Sequence, residues 1–438
     1  MDNTKNATQK NRSPWTWIPS LYLAEGLPYG MVVIASVIMY TNLGLATDKA
    51  VFYTSLLYLP WVIKPFWSPF VDILKTKRWW IFTMQLLIGI GFAGIAFTIP
   101  TGNFYVQATL AFFWLLSFSS ATHDIAADGF YMLGLDTNQQ SVYVGIRSTF
   151  YRIAQTLGQG AMVMMAGYLS KRFDFPMAWM VIFFILAGLF VVFAFYHRFI
   201  LPIPATDRPK PDIKANDIMK EFGEAFVTFF EKPQILTALL FLLTFRFAEG
   251  QIVKLIGPFM LAPIEKGGLG LATETVGFVY GILGIIGLTI GGIVGGIAAS
   301  QGGLKKWLWP MTLIMAPTAI VYIYLSYAQP NNLFIVIACV MVEQFCYGFG
   351  FTAYMLFMMY LASDAGAGNK HQASHYAICT GFMALSMMIP GLFAGVMEKH
   401  LGYHHFFIWV LICAIVPLIA VSLLKIDPEY GKKAKVES

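Results

Sequence analysis

Six charged residues in the first half of this 438-residue chain lie in stretches otherwise apolar enough to cross a bilayer. They are Glu25, Asp124 and Asp128, set against Lys64, Arg147 and Arg152. A charge at bilayer depth is costly even on lenient insertion scales, so such residues meet a partner or line a watery cavity. Asp124 and Asp128 are four apart, which puts both on one helical face. If the fourth span ends near residue 134, Asp128 is about 9 Å and Asp124 about 15 Å from that end. A fifth span returning from about residue 141 carries Arg147 about 9 Å and Arg152 about 17 Å deep. The depths predict the pairs Asp128 with Arg147 and Asp124 with Arg152. Lys64, about 10 Å from the inner end of the second span, reaches the same depth. Two kinds of chemistry are open to such a cluster: ion pairs that lock helices together, or pairs that open and close as protons or substrate arrive. His123 adjoins Asp124 but points about 100° away round the helix, which argues against a direct relay between them. Glu25 precedes Gly26-Leu27-Pro28, where glycine and proline free backbone groups to line a cavity.

A second set lies further along. Arg246 and Glu249 are three apart and can pair on one face, with Lys254 two turns beyond Arg246. Glu343 sits in a later apolar run. Guanidinium and ammonium groups hold carboxylates and phosphates, and aromatics such as Tyr151 and Tyr354 can stack on sugar faces. The expected substrate-binding set is Arg246, Glu249, Lys254, Gln155, Tyr151, Glu343 and Tyr354. The expected charge network is Asp124, Asp128, Arg152, Lys64, Arg147 and Glu25. The solute these residues suit is anionic or zwitterionic and rich in hydroxyls. Cys339, Cys346, Cys379 and Cys413 have spacings that suggest neither a metal site nor a disulfide. There is no glycine-rich phosphate loop followed by Lys and Ser or Thr, which excludes an ATP-driven pump of that kind. No metal, no cofactor and no catalytic residue are expected.

The elements that must position these groups follow from composition. The chain is 58% hydrophobic and 12% charged, where a soluble domain carries about 25% charged residues. Runs of roughly 20 apolar residues mark membrane spans. They fall near 16–42, 51–71, 79–99, 104–134, 141–170 and 177–200, then near 234–262, 273–299, 307–328, 332–362, 371–397 and 404–425. Residues 201–233 form the one long polar stretch, so the chain divides into bundles at 1–200 and 234–438 joined by a cytoplasmic linker. Lysine and arginine concentrate on the side that holds both termini, which is read as the inside. Only Lys49, Lys171, Arg172, Lys266 and Lys399 fall outside, and the Lys171-Arg172 pair runs against the rule. Gly277, Gly281, Gly284, Gly287, Gly291 and Gly295 recur at three- and four-residue steps, a pattern for close helix packing. The expected fold is an all-α integral membrane protein of the major facilitator architecture: twelve transmembrane helices in two six-helix bundles. No cleavable signal is expected before the first span.

Particular strings point further. Leu59-Pro60-Trp61-Val62-Ile63-Lys64-Pro65-Phe66-Trp67-Ser68-Pro69-Phe70-Val71-Asp72 in span two is one, and Ala121-Thr122-His123-Asp124-Ile125-Ala126-Ala127-Asp128 in span four is another. Gly26-Leu27-Pro28, Tyr151-Arg152 and Tyr376-Ala377 add to them. Together the chain resembles the AmpG-type muropeptide permeases, a major facilitator branch that also includes acetyl-coenzyme A transporters. The resemblance implies a proton symporter of the bacterial inner membrane, acting as a monomer in peptidoglycan recycling. Its implied cargo is an N-acetylglucosaminyl-anhydromuramyl sugar with or without peptide. Asp124, Asp128, Arg152 and Lys64 would be the matching polar residues. His123, Glu25 and Arg147 depart from the pattern and leave the substrate open. A sugar or oligosaccharide symporter and an acyl-coenzyme A exchanger are the alternatives within transport. An acyltransferase using His123 and Asp124, and a receptor that binds without translocating, are the alternatives outside it.

Overall fold

A computed structural model gives the architecture and describes residues 12–135, 137–204, 206–208, 215–363, 372–428 and 430. Every regular element among these residues is a helix. Eight stretches are long and apolar enough to cross a membrane: Pro14–Asn42, Lys77–Thr98, Gly102–Gly134, Phe175–Ile200, Ile235–Leu261, Thr273–Ala328, Leu333–Ala362 and Ser374–Leu423. Two of them, of 56 and 50 residues, are long enough for two crossings each. Glycines with left-handed backbone break them, Gly303 at φ 74° and Gly402 at φ 66°. A residue with a Cβ is strained there. The two remaining expected spans are also helical, as Thr47–Leu56 with Leu59–Ile73 and as Thr137–Thr156 with Val163–Ser170. Their apolar character is diluted by the very residues of interest, Lys64, Arg147 and Arg152.

By compactness the chain forms two units. The first comprises Met1–Val32, Phe66–Gly158 and Trp179–Ile218, and the second Val33–Pro65, Gln159–Ala178 and Met219–Ser438. Three of the boundaries fall where a helix is irregular. One lies in the π-helical turn Met31–Ala35, shortly after Pro28, and another in the π-helical turn Leu157–Met162. The third is at Pro65 in the helix Leu59–Ile73. Proline removes a main-chain donor, and a π turn breaks the regular hydrogen-bond ladder, so both are places where a helix changes direction.

In the first unit Trp17, Ile18 and Leu21 pack with Ala126, Ala127 and Phe130 in one buried cluster. Gly26 allows the first helix to lie against Thr137–Thr156, because a Cβ there would come within 2.6 Å of the Tyr151 carbonyl oxygen. This close crossing brings Glu25 beside the helix that carries the arginines.

In the second unit the glycine run does pack, and against two different partners. A Cβ on Gly277 would lie 2.6 Å from the main-chain N of Met164 and 2.8 Å from the carbonyl O of Gly160. Further along, a Cβ on Gly287 would lie 2.8 Å from the Met341 carbonyl, and one on Gly295 2.9 Å from that of Phe349. Near the second unit's polar ends, Lys171 pairs with Glu274 at 2.5 Å and Lys399 with Asp48 at 2.7 Å. The hydrogen bond that Lys399 donates holds the Asp48 carboxyl below the usual carboxylate range, and the one that Lys171 donates to Glu274 raises the Lys171 ammonium. Lys171, the cation that ran against the charge rule, is therefore neutralised locally. Deeper in the same unit lies Lys254, 1% exposed. Its Nζ donates to the Val33 carbonyl at 3.0 Å, to the Thr54 carbonyl at 3.1 Å and to Thr54 Oγ1 at 3.4 Å. The ring of Tyr58 lies 5.0 Å away. An ammonium has three donors, and here all three meet oxygen.

Two outcomes follow from this packing. Gly277→Val should lower stability by roughly 1–3 kcal/mol through overpacking, whereas Gly296→Val, with nothing within 4 Å of its Cβ, should not. Melting temperatures in detergent compare them directly. Lys254→Met should also destabilise, by roughly 1–3 kcal/mol, since it strands carbonyls that the ammonium satisfies. Unchanged melting of that variant would mean that the three contacts hold nothing together.

Candidate functional site

The first unit brings Glu25, Asp124 and Asp128 together. One carboxylate oxygen from each lies within 4.8 Å of the others. Each comes from a position the sequence made plausible. Asp124 and Asp128 share a face of Tyr105–Gly134, and Glu25 enters from the first helix just before the Gly26 crossing. Glu25 is 7% exposed, and its Oε2 has no hydrogen-bond partner among the described residues. Its carboxyl group therefore faces those of Asp124 and Asp128. Carboxylates offer only acceptors, so a proton on one of them is what would let it donate to a neighbour. Three carboxylates this close could also chelate a cation.

The predicted pair of Asp128 with Arg147 is present. Arg147 Nη1 lies 2.8 Å from Asp128 Oδ1 and donates to Tyr22 OH at 2.9 Å, while Tyr22 OH donates to Asp128 at 3.1 Å. The guanidinium sits 5.2 Å from the centre of the Tyr22 ring and 4.8 Å from that of Tyr131. Two aromatic faces thus hold its planar group while one edge addresses the acid. The pair is open to its surroundings: the Arg147 side chain is 30% and that of Asp128 43% exposed. Tyr151, Arg152 and Gln155 occupy one stretch of Thr137–Thr156, each half-buried. Asp124, Glu25 and Asp128 all act electrostatically on Tyr151. Lys64 is half-buried on Leu59–Ile73 and belongs to the second unit.

His123 points away from this cluster, as its helical position required. It is fully buried and meets Gln85 Nε2 at 2.9 Å; Gln85 in turn meets His197 Nδ1 at 2.9 Å, and His197 Nε2 meets Ser20 Oγ at 2.9 Å. This four-residue chain crosses four helices. Sequence reasoning missed it because Gln85, His197 and Ser20 are each isolated polar residues. The available signal was that Gln85 and His197 both lie within strongly apolar runs.

In the second unit Arg246 pairs with Glu249 as the spacing implied, Nε to Oε2 at 3.1 Å and Nη2 to Oε1 at 3.4 Å. Arg246 sits at the break between Ile235–Thr244 and Phe247–Leu261 and also donates to Tyr347 OH at 2.6 Å. The side chains are only 9% and 7% exposed. Glu343 accepts from Tyr322 OH at 2.8 Å and from Gln344 Nε2 at 2.9 Å. Tyr354 differs from the sugar-stacking role expected of it. It is fully buried, gives its hydroxyl to the Leu242 carbonyl at 2.6 Å and stacks on Phe245 at 4.7 Å. Its ring face is taken by another ring. Lys254 likewise has its three donors on the oxygens of Val33 and Thr54 rather than on an open wall.

Comparison with known proteins agrees with this architecture. The bacterial homologue of the lysosomal transporter Spinster, in an inward-facing conformation, superposes with a TM-score of 0.71 at 14% identity, over 95% of this chain and 98% of that one. A D-xylose–proton symporter gives a TM-score of 0.73 at 12% identity, again over 95% and 98%. Among curated relatives, a Rickettsia conorii protein bearing the name AmpG 4 is 25% identical over 92% of this chain and 94% of its own. The anhydromuropeptide permease of Escherichia coli K12 is 22% identical over 94% of this chain and 80% of its own. The model of the Major Facilitator Superfamily matches residues 20–371. With that match over most of its length, the chain belongs to the Major Facilitator Superfamily, as a multi-pass membrane transporter of a small molecule and not an enzyme, with AmpG-type permeases among its relatives.

Proposed function

We propose that this protein is a proton symporter that imports sugar-containing peptidoglycan fragments, N-acetylglucosaminyl-anhydromuramyl sugars with or without peptide, across the bacterial inner membrane. In this reading residues 1–200 and 234–438 are the two bundles, 201–233 is the cytoplasmic linker, both termini are cytoplasmic, and the carrier is a monomer driven by the proton gradient without a cofactor. The observation that carries the proton part is the approach of the Glu25 and Asp124 carboxyl groups to within 4.8 Å of each other and of Asp128, which pairs with Arg147. Like charges about 5 Å apart repel by roughly 3 kcal/mol at an effective dielectric near 20. A proton on Glu25 or Asp124 removes that repulsion, and its departure restores it. Arg147 feels the difference, because it answers the same group of acids. Proton arrival thereby alters how firmly Asp128 holds Arg147, and an anionic cargo can compete for the guanidinium. The substrate part is supported by the Escherichia coli relative, which is named an anhydromuropeptide permease. The charge pattern agrees with it, since arginines suit the carboxylates of a muramyl peptide.

Two measurements in proteoliposomes test the two parts separately. Asp124→Asn should abolish uptake of a labelled anhydromuropeptide against its gradient, while exchange at equal concentrations on both sides continues. Accumulation that survives the substitution would remove Asp124 from coupling. Arg152→Ala should weaken binding of acidic muropeptides more than that of the neutral disaccharide, by roughly tenfold for a lost charge-assisted contact. An equal loss for both would make Arg152 a structural residue.

A further inference from the structure

Away from the acidic cluster, the first unit gathers positive charge at one corner. Arg78 stands in the opening turn of Lys77–Thr98, Arg198 in the last turn of Phe175–Ile200, and Arg12 just before the first span. Arg78 Nη2 donates to the Arg198 carbonyl at 2.9 Å, and Arg12 donates to the Phe199 carbonyl. These bonds cap the end of a helix, where cations are favoured. Capping accounts for one guanidinium on each of two carbonyls and leaves most of the donors over. A guanidinium has five N–H groups, yet the side chain of Arg198 makes no hydrogen bond within the described protein and only faces the Phe82 ring at 5.9 Å. Burial and the positive charges of Arg198 and Arg12 act against the Arg78 cation, and the Asp207 carboxylate offsets only part of this.

No carboxylate among the described residues forms a salt bridge with any of the three. Asp207 acts on Arg78 through its charge but spends its oxygens on main-chain donors. It takes the main-chain N–H of Lys77 at 2.6 Å and that of Arg78 at 3.2 Å, which closes the start of that helix. Three like charges are thus held together at this corner with one buried carboxylate, Asp207, near Arg78 and no salt bridge to any of them among the described residues.

The space around them has two parts. A cavity of about 280 Å³ is lined by Thr76, Arg78, Trp79, Phe82 and Arg198. A larger groove of about 860 Å³ carries Arg12 at its polar side and Val191, Val192, Phe195 and Phe199 along its length. Phe195 and Phe199 are 52% and 70% exposed. Val191, Phe195 and Phe199 follow one another at four-residue steps, so they form a continuous apolar strip of about 12 Å on one helix face. In a membrane-spanning chain that strip faces hydrocarbon. Positive charge at the head and apolar surface along the side match an amphiphile with an anionic head.

We propose that this corner is a binding site for an anionic phospholipid. The head phosphate sits between Arg78 and Arg198, with Arg12 beside it, and an acyl chain lies along Val191, Phe195 and Phe199. Basic residues at the polar boundary of a bilayer recognise anionic head groups through charge-assisted hydrogen bonds. A free phosphate would satisfy the arginines but leave the groove unused. The site is separate from the transport cluster and does not rest on the muropeptide reading.

Purified protein, stripped of lipid in detergent, is to be titrated with phosphatidylglycerol, with phosphatidylcholine and with inorganic phosphate, reading melting temperature and lipid retained in native mass spectrometry. Phosphatidylglycerol should bind and stabilise, and the other two should not. Arg78→Gln with Arg198→Gln should weaken phosphatidylglycerol binding by roughly thirtyfold, about fivefold for each arginine lost near an anionic head group. Lys305→Gln with Lys306→Gln removes the same charge from the helix Ile285–Met315 of the other unit and should leave binding unchanged. If the double arginine variant fails to fold, Arg198→Gln alone decides, since that side chain forms no hydrogen bond within the described protein. Equal protection by inorganic phosphate would make this a simple anion site and overturn the lipid assignment. Undiminished phosphatidylglycerol binding in the arginine variants, or an equal loss in the lysine control, would overturn the site itself.

Discussion

A charge carried into lipid must be met there by an opposite charge or by oxygen, because no solvent is present to do it. The described structure meets this demand in distinct ways. Arg147 faces Asp128 and two tyrosine rings, while Arg246 clasps Glu249 at the next turn of its own chain. Lys254 meets no acid at all and places its ammonium among the oxygens of Val33 and Thr54. Glu343 rests on a tyrosine hydroxyl and a glutamine amide. Glu25 and Asp124 bring carboxyl oxygens within 4.8 Å of one another and of Asp128, a crowding of like charge that a proton would relieve.

The same demand explains why the helices are irregular where they are. Val33, whose carbonyl receives Lys254, belongs to the π-helical turn Met31–Ala35. A regular helix has few carbonyls free to turn towards a neighbour's ammonium, whereas a π turn presents them. Gly160 lies in the second such turn, Leu157–Met162, and Gly277 opens a third, Gly277–Gly284; here the backbones approach so closely that a Cβ would collide. Irregular backbone is tolerated in a membrane where protein covers it. The limits of the compact units fall in two of these three turns, so local unwinding and the division of the chain share one location.

Much of this was legible in the sequence, and what was not has a common cause. The apolar runs announced the spans, and helical depth paired Asp128 with Arg147. The i, i+3 spacing paired Arg246 with Glu249, and the glycine run announced close packing. Each of these depends on one helix or on two consecutive ones. The chain Ser20–His197–Gln85–His123 joins four helices through single polar residues, and no periodicity in any one of them reports it. Lys254 was read as a cation awaiting an anion because side-chain types are visible in a sequence and main-chain carbonyls are not. Tyr354 was read as an open ring for the same reason, since nothing local to it reveals that Phe245 covers one face. Gln155, Tyr151 and Arg152 share a stretch of helix as expected, and Lys64 falls in the other compact unit.

The two arginine–carboxylate pairs show where coupling can reside. Arg246 and Glu249 are almost sealed from solvent, so parting them would leave two bare charges in a medium that does not solvate them, a loss of several kcal/mol. Arg147 and Asp128 are substantially exposed, and water can take over either partner when they separate. A pair that can be parted at modest cost can respond to a proton or an anionic cargo; a sealed pair holds its shape throughout the cycle. Arg147 also adjoins the cluster formed by the Glu25, Asp124 and Asp128 carboxyl groups. In the proposed reading, proton and charge meet in the first unit, whereas Arg246 and Glu249 stay buried within the second. On this ground the first unit, through Glu25, Asp124, Asp128 and Arg147, is the place where ionisation and movement can be linked.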